Sequence, residues 1–260
     1  MAEEALSGGF VNAQVVRVGD TVRRQAGPWT PTIHRLLHHV RARGVDWVPE
    51  PRGLDERGRE VLTFIPGDVP HSMPEWIWSE AVLVDVAVAL RQWHDATADF
   101  AGEGAVWGFE AHAPAEVVCH NDFAPYNGVF RAGRFAGAID FDLCSPGPRL
   151  WDLAYTAYRY APLLPPAGTP AAARAGGEGS HFGPGEQRAR LETFLTAYAG
   201  AGVEPRRYGC AELRSWAVRR LWAIADWNDR HFGGDPAHLL ADSGRVYRAH
   251  ARWIVENGDC

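Results

Sequence analysis

The chain has 260 residues, 46% of them hydrophobic and 22% charged, and a formal net charge of -6, which is enough material for a sizeable core and excludes global disorder. The acidic balance argues against a nucleic-acid partner, because gripping a phosphate backbone needs a basic surface. No apolar stretch approaches the roughly 20 residues that span a membrane.

The acidic start, Met1-Ala2-Glu3-Glu4, leads into no hydrophobic run, so a secretory signal is not expected. Cys119, Cys144, Cys210 and Cys260 are scattered without a C-x-x-C pair. That pattern speaks for reduced thiols in a cytoplasmic protein rather than a disulfide framework or a zinc site.

Residues 11–18, the turn Gly19-Asp20 and residues 21–24 read as a β-hairpin. After the break at 27–31, Ile33, Leu36, Leu37 and Val40 recur at helical spacing and Gly44 ends that helix. A second hairpin is expected around 55–58, with residues 60–65 as a buried strand stopped by Pro66-Gly67. A long helix follows over 76–100, carrying Ala81, Val84, Val88, Leu90 and Trp93. Residues 117–141 return to short strands and loops. Residues 162–187, rich in Pro, Gly and Ala, read as a mobile excursion. Helices are then expected at 187–200, 211–228 and 236–256. The fold class is therefore α+β, with a β-rich N-terminal lobe over 1–67 and a mainly helical lobe over 68–260.

The chemistry concentrates in residues 118–142. His120-Asn121-Asp122 lies on a loop after a short strand, and Asn127 follows five positions later, where a hairpin begins. The returning strand ends at Ile139-Asp140. A tight hairpin joins its own ends, so Asn127 and Asp140 should be neighbours facing the same space as Asp122. Two carboxylates and an amide oxygen are hard donors suited to Mg²⁺ bridging nucleotide phosphates. Phosphoryl transfer asks mainly for positioning, charge neutralisation and one carboxylate to take the acceptor's proton. No G-x-x-x-x-G-K-[ST] occurs, so P-loop chemistry is not expected.

The stretches HNDFAPYN and AIDFD, followed by Trp151-Asp152-Leu153-Ala154, resemble the aminoglycoside phosphotransferase family of small-molecule kinases within the protein-kinase-like superfamily. The match is specific over 118–154 and general elsewhere. The resemblance implies a protein-kinase-like two-lobed fold and an enzyme that transfers the terminal phosphoryl group of ATP or GTP to a hydroxyl of a small molecule, an aminoglycoside or another antibiotic among the candidates. It implies Asp122 as catalytic base, Asn127 and Asp140 as Mg²⁺ ligands, His120 and Asp152 as supports of the catalytic loop, and Asp142 in a supporting or metal role. It also implies nucleotide contacts from Gly8 and Gly9 in a phosphate-covering turn, from Arg23 as the phosphate-contacting cation with Arg24 as its exposed neighbour, and from the backbone of Thr63, Phe64 and Ile65 at a hinge.

One departure stands out. Kinase-like folds usually pair a strand Lys with a Glu on the following helix, whereas here the cation is Arg, which binds as a planar fork. No Asp or Glu occurs between Asp20 and Asp46. Arg23 is then held by the phosphates with His34 as a neutral partner, or nucleotide binding is weakened. The histidines of that helix, His34, His38 and His39, read as a solvated face in preference to a phosphate-binding one. Weakened binding keeps a second reading in view, a catalytically silent kinase-like module that binds a nucleotide or small ligand.

For the acceptor, residues 188–260 hold nine acids against eleven arginines, which does not favour a strongly acidic pocket. Trp222, Asp226 and Asp229 share one helix side at i, i+4 and i+7 and could hold an amine by cation–π and charge contacts. The alternative is a core Trp222 flanked by solvated acids.

Overall fold

The computed structural model describes residues 3–6, 15–70, 72–177, 179–233, 238 and 240–257. The chain divides into two compact units, 1–149 and 150–260.

The first unit opens with a five-stranded antiparallel sheet of order β1-β2-β3-β5-β4, formed by β1 (Glu4–Ala5), β2 (Val16–Val18), β3 (Thr21–Gln25), β4 (Pro51–Leu54) and β5 (Arg59–Thr63). Gly19-Asp20 makes the expected turn between β2 and β3. The β4–β5 connection is fixed by Asp55, whose carboxylate accepts from the backbone N–H groups of Arg57 and Arg59 at 3.0 and 2.9 Å. Gly58 sits there at φ 74°, a conformation that a Cβ would disfavour.

Helix α1 (Thr30–Ala42) buries Ile33, Leu36, Leu37 and Val40 completely, the stripe read from the sequence. Each such side chain contributes about 1.5–3 kcal/mol on burial. The expected long helix is interrupted: a 3₁₀ turn at Glu75–Trp78 precedes α2 (Glu80–Thr97). Ser79 separates them, because its extended backbone and its Oγ, which accepts from Val82 N–H at 3.3 Å, begin a new helix. Fully buried Trp93 of α2 sends its indole N–H to the Val118 carbonyl at 2.7 Å, so one side chain supplies both core volume and a polar link.

That link reaches β6 (Val117–Cys119), which pairs with β9 (Ser145–Gly147). Between them lies the hairpin of β7 (Gly128–Arg131) and β8 (Arg134–Ala138). The backbone of Asp68 bonds that of Phe130 in both directions, at 2.8 and 2.9 Å, which docks the segment after β5 onto β7.

In the second unit, α3 (Arg149–Tyr160, its first residue closing the first unit) leads to a short α4 (Pro170–Arg174), then α5 (Pro184–Gly200), α6 (Cys210–Phe232) and α7 (Ser243–Glu256). Residues 162–187, expected as a mobile excursion, contain α4, capped by Thr169, and a bridge between Pro166 and Ser180. Helices α6 and α7 pack together and bury Ala217, Leu221, Ala225, Ala251 and Ile254. Asn228 donates to Ser243 Oγ at 2.7 Å between them. No helix, among the described residues, is long and apolar enough to cross a membrane.

Candidate active site

The loop after β6 is shaped by its own polar side chains. Asn121 stands at φ 66°, a left-handed conformation that asparagine tolerates better than most residues. Its Nδ2 donates to Leu143 O at 2.7 Å and Ser145 Oγ at 2.9 Å, which ties the loop to the entry of β9. His120 is fully buried against Phe141 and Phe123, with ring centroids 4.8 and 5.3 Å away, and its Nδ1 accepts from the Asp122 N–H at 3.3 Å. His120 thus packs beneath the loop.

Asp122 is gripped from its C-terminal side. Asn127 Nδ2 donates to the Asp122 carbonyl at 3.0 Å and to Oδ2 at 2.8 Å, and the Tyr126 hydroxyl donates to Oδ1 at 2.6 Å. With Nδ2 committed to Asp122, the amide oxygen is the hard donor that Asn127 can offer a cation. The Ile139 N–H donates to the Asn127 carbonyl at 2.9 Å, which brings Asp140, the next residue, beside Asn127. The hairpin therefore joins its ends as the spacing predicts. Asp140 itself takes φ 63°, a cost that persists where surrounding structure dictates it.

The cation in this site is Arg24, which corrects the expected exposure of that residue and exchanges the positions foreseen for the two arginines. Successive side chains on a strand face opposite sides, and β3 turns Arg24 inward, where it is 7% exposed. Its Nη1 lies 3.1 Å from Asp140 Oδ1 and 3.2 Å from Asp142 Oδ2, its Nη2 lies 2.6 Å from Asp142 Oδ1, and its Nε bonds Glu60 Oε2. Arg23 points the other way, donating to Thr21 Oγ1 at 2.6 Å and standing 3.8 Å from Asp55. The carboxylate missing from α1 is supplied by β5 instead. Glu60 is buried opposite Arg24, and its Oε1 meets His34 Nε2 of α1 at 2.9 Å. His34 is therefore no part of a solvated face, whereas His39 meets the exposed Asp99 at 3.2 Å on the surface.

Burial pushes the Glu60 carboxyl up, but the His34 hydrogen bond and the Arg24 charge outweigh it and hold Glu60 below the usual carboxylate range. Asp142 goes the other way: burial raises it, the Arg24 charge opposes, and Asp140 and Glu60 add to the rise. Desolvation disfavours the Arg24 cation, yet Asp142, Glu60 and Asp140 together raise its proton affinity further.

The remaining expected contacts are placed as follows. Gly8 and Gly9 lie outside the described residues. Thr63 N–H donates to Glu50 O at 3.0 Å and Phe64 N–H to Asp20 O at 2.8 Å, so two of the three foreseen hinge donors are committed within the protein. Asp152 is fully buried in α3. The Trp222–Asp226–Asp229 cluster is satisfied from within its own unit: Arg248 of α7 bonds Asp226 Oδ1 and Asp229 Oδ2, each at 2.7 Å, and lies over the Trp222 ring at 5.7 Å. Trp222 is 37% exposed, so neither a vacant amine site nor a core Trp describes it.

Sequence reasoning passed over Asn121, Tyr126 and Glu60. A Glu inside an otherwise apolar strand was the available signal for the last, since a charge in that setting calls for a buried partner.

Among the described residues no group of three or more His, Cys, Asp or Glu forms a metal cage. The donor set fits Mg²⁺ all the same. That ion is commonly held by one or two protein oxygens plus substrate phosphates, and Asn127 and Asp140 supply such oxygens at the hairpin's two ends.

Comparison with known proteins bears on this geometry. Residues 105–191 match the phosphotransferase enzyme family, APH. The match covers about a third of the chain. The trifolitoxin immunity protein of Rhizobium leguminosarum bv. trifolii is 38% identical over 151 residues, which make up 55% of this chain and 56% of that protein. The chain thus spans little more than half the length of this curated relative. Among solved structures, a choline/ethanolamine kinase family protein from Mesorhizobium loti superposes with a TM-score of 0.59 at 19% identity, covering 98% of this chain and 88% of that one. The ethanolamine kinase of Plasmodium vivax gives 0.66 at 13%, covering 96% and 81%. The streptomycin–ATP–APH(2″)-IIa ternary complex gives 0.55 at 14%, covering 98% and 93%. The chain is α+β and shares the fold of these kinases.

Proposed function

We propose that this chain moves the terminal phosphoryl group of ATP or GTP onto a hydroxyl of a small molecule. The observation that carries this reading is the double hold of Asn127 on Asp122, with Asp140 brought alongside by the β7–β8 hairpin. One carboxylate is fixed by its neighbours, and a second is delivered next to an amide oxygen. That is the division of labour phosphoryl transfer requires.

In this reading Asp122 accepts the hydroxyl proton of the acceptor as the oxygen attacks the phosphorus. Asn127 and Asp140 hold Mg²⁺, which when bound neutralises phosphate charge. His120 and Asn121 keep the loop in place, Asp152 is a buried support, and Arg24 rather than Arg23 presents its guanidinium to the phosphates. The hinge backbone at Ile65 is the candidate contact for the base. The relative's immunity function supports an antibiotic or toxin-like acceptor, and the ATP of the APH(2″)-IIa complex supports ATP as donor.

The test is Mg²⁺-dependent turnover of ATP and GTP against amino-sugar, macrolide, choline and sugar panels. Asp122→Asn should lower turnover by about 10²-fold or more, the usual worth of a positioned base. Asp140→Ala should abolish Mg²⁺-dependent nucleotide affinity, and unchanged affinity there refutes the metal assignment. A second reading, supported by the same immunity relative, is protection by binding without transfer. It prevails if the wild type binds nucleotide or panel ligands, raising the melting temperature, yet turns over nothing.

A further inference from the structure

A buried guanidinium stays charged and demands carboxylates, and Arg24 has three, Glu60, Asp140 and Asp142. The three differ in kind. Glu60 stands directly opposite Arg24 across the β3–β5 pair, its side chain is 1% exposed, and its second oxygen is fixed by His34. Asp140 is 46% exposed and sits at the end of the hairpin. The Nε end of the guanidinium is thus anchored in the sheet, while its two terminal nitrogens rest on carboxylates that solvent reaches.

The atom that Arg24 holds at 3.1 Å, Asp140 Oδ1, belongs to the carboxylate a divalent cation would use. We propose that Arg24 is an exchangeable counter-cation: its Nε stays on Glu60, and its terminal nitrogens occupy Asp140 and Asp142 until the metal-bearing nucleotide arrives, then pass to phosphate oxygens. The inference rests on the phosphotransferase reading above. Two cations that share one oxygen pair weaken each other's hold, and by linkage the effect is mutual. Without Arg24, Asp140 and Asp142 form an uncompensated anionic pair, which strengthens its attraction for a divalent ion. A conventional phosphate-contacting arginine predicts no such gain.

The experiment measures Mn²⁺ binding to the full chain without nucleotide, by electron paramagnetic resonance and calorimetry. Arg24→Gln should bind Mn²⁺ about tenfold more tightly than the wild type, within the usual span of coupling between sites, while losing affinity for Mg²⁺–nucleotide. Unchanged or weaker Mn²⁺ affinity in folded Arg24→Gln overturns the proposal. Arg24→Lys keeps the charge but loses the fork and guards against a variant that fails to fold: it should fall between the two, and an affinity equal to the wild type's overturns the exchange. If neither the wild type nor any variant binds Mn²⁺, or if Asp140→Ala binds it undiminished, the metal site itself is wrong and the exchange falls with it. Mn²⁺ binding that needs Asp140 but ignores Arg24 rejects the exchange alone.

Discussion

Arg24 and Glu60 are register partners on adjacent antiparallel strands, and each is almost fully enclosed. A cross-strand ion pair in a sheet normally faces water and counts for little. This one lies where the β3–β5 pair meets the hairpin that carries Asp140 and Asp142, so the sheet's register sets where the cation stands.

Breaking the pair by removing one partner leaves a buried charge uncompensated, which typically costs about 3–5 kcal/mol. Glu60→Ala should therefore lower stability far more than surface changes do, as read by urea denaturation. The pH dependence has a definite sign. Glu60 is held below its ordinary value of 4.5, so its contribution is complete above that value and disappears as pH falls through the folded-state value. The stability gap between wild type and Glu60→Gln should narrow on acidification in that window. Asp142, whose folded-state proton affinity is raised, acts with the opposite sign: its contribution is present at low pH and lost as pH rises.

Asn127 and Tyr126 grip the same carboxylate with different consequences. Asn127→Ala removes both bonds to Asp122 and a proposed metal ligand, so turnover should drop by about 10²-fold or more, since a misplacement of roughly 1 Å can cost that much. Tyr126→Phe leaves the Asn127 hold intact and loses one hydroxyl bond, worth about 1 kcal/mol. Its effect should stay within about tenfold. Steady-state turnover of both variants separates the two roles.

Gly108 lies beneath the site. A Cβ placed there would stand 2.0 Å from the Asp142 carbonyl oxygen and 3.5 Å from the Trp29 ring. Backbone cannot step aside cheaply, so Gly108→Ala should destabilise by about 1–3 kcal/mol, the usual cost of overpacking. Thermal denaturation checks the loss. Mn²⁺ affinity should fall with it, because the same push displaces the segment bearing Asp140 and Asp142.

Arg248 makes a contrasting case. It bridges Asp226 and Asp229 beside Trp222, but all three acidic and basic groups meet solvent. Arg248→Ala should change the unfolding free energy by no more than about 1 kcal/mol, and the difference should shrink further in high salt.

The arrangement of Asp122, Asn127 and Asp140 was legible in the sequence because its geometry is local. Five positions from Asp122 to Asn127 and a tight hairpin to Asp140 leave the chain few other arrangements. The α1 stripe was legible for the same reason, since helical periodicity is written in neighbouring residues. What escaped was the Arg24–Glu60–His34 chain, whose members come from β3, β5 and α1. Which of two adjacent arginines faces inward depends on strand register against β5, a long-range property. Glu60 lies 36 residues from Arg24, on β5 and not on the helix that follows β3. The break at Ser79 was missed because apolar residues run across it, whereas the cap that makes it is a single hydroxyl.

The tandem Arg23-Arg24 carries one more consequence. A one-residue slip of β3 reverses the faces of its side chains, which would empty the inward position in most sequences. Here the neighbour that swings in is again an arginine: a slip one way sets Arg23 opposite Glu60, and a slip the other way sets it opposite Leu62, away from Glu60. The doubled residue makes the charge redundant and leaves only its alignment vulnerable to changes in loop length.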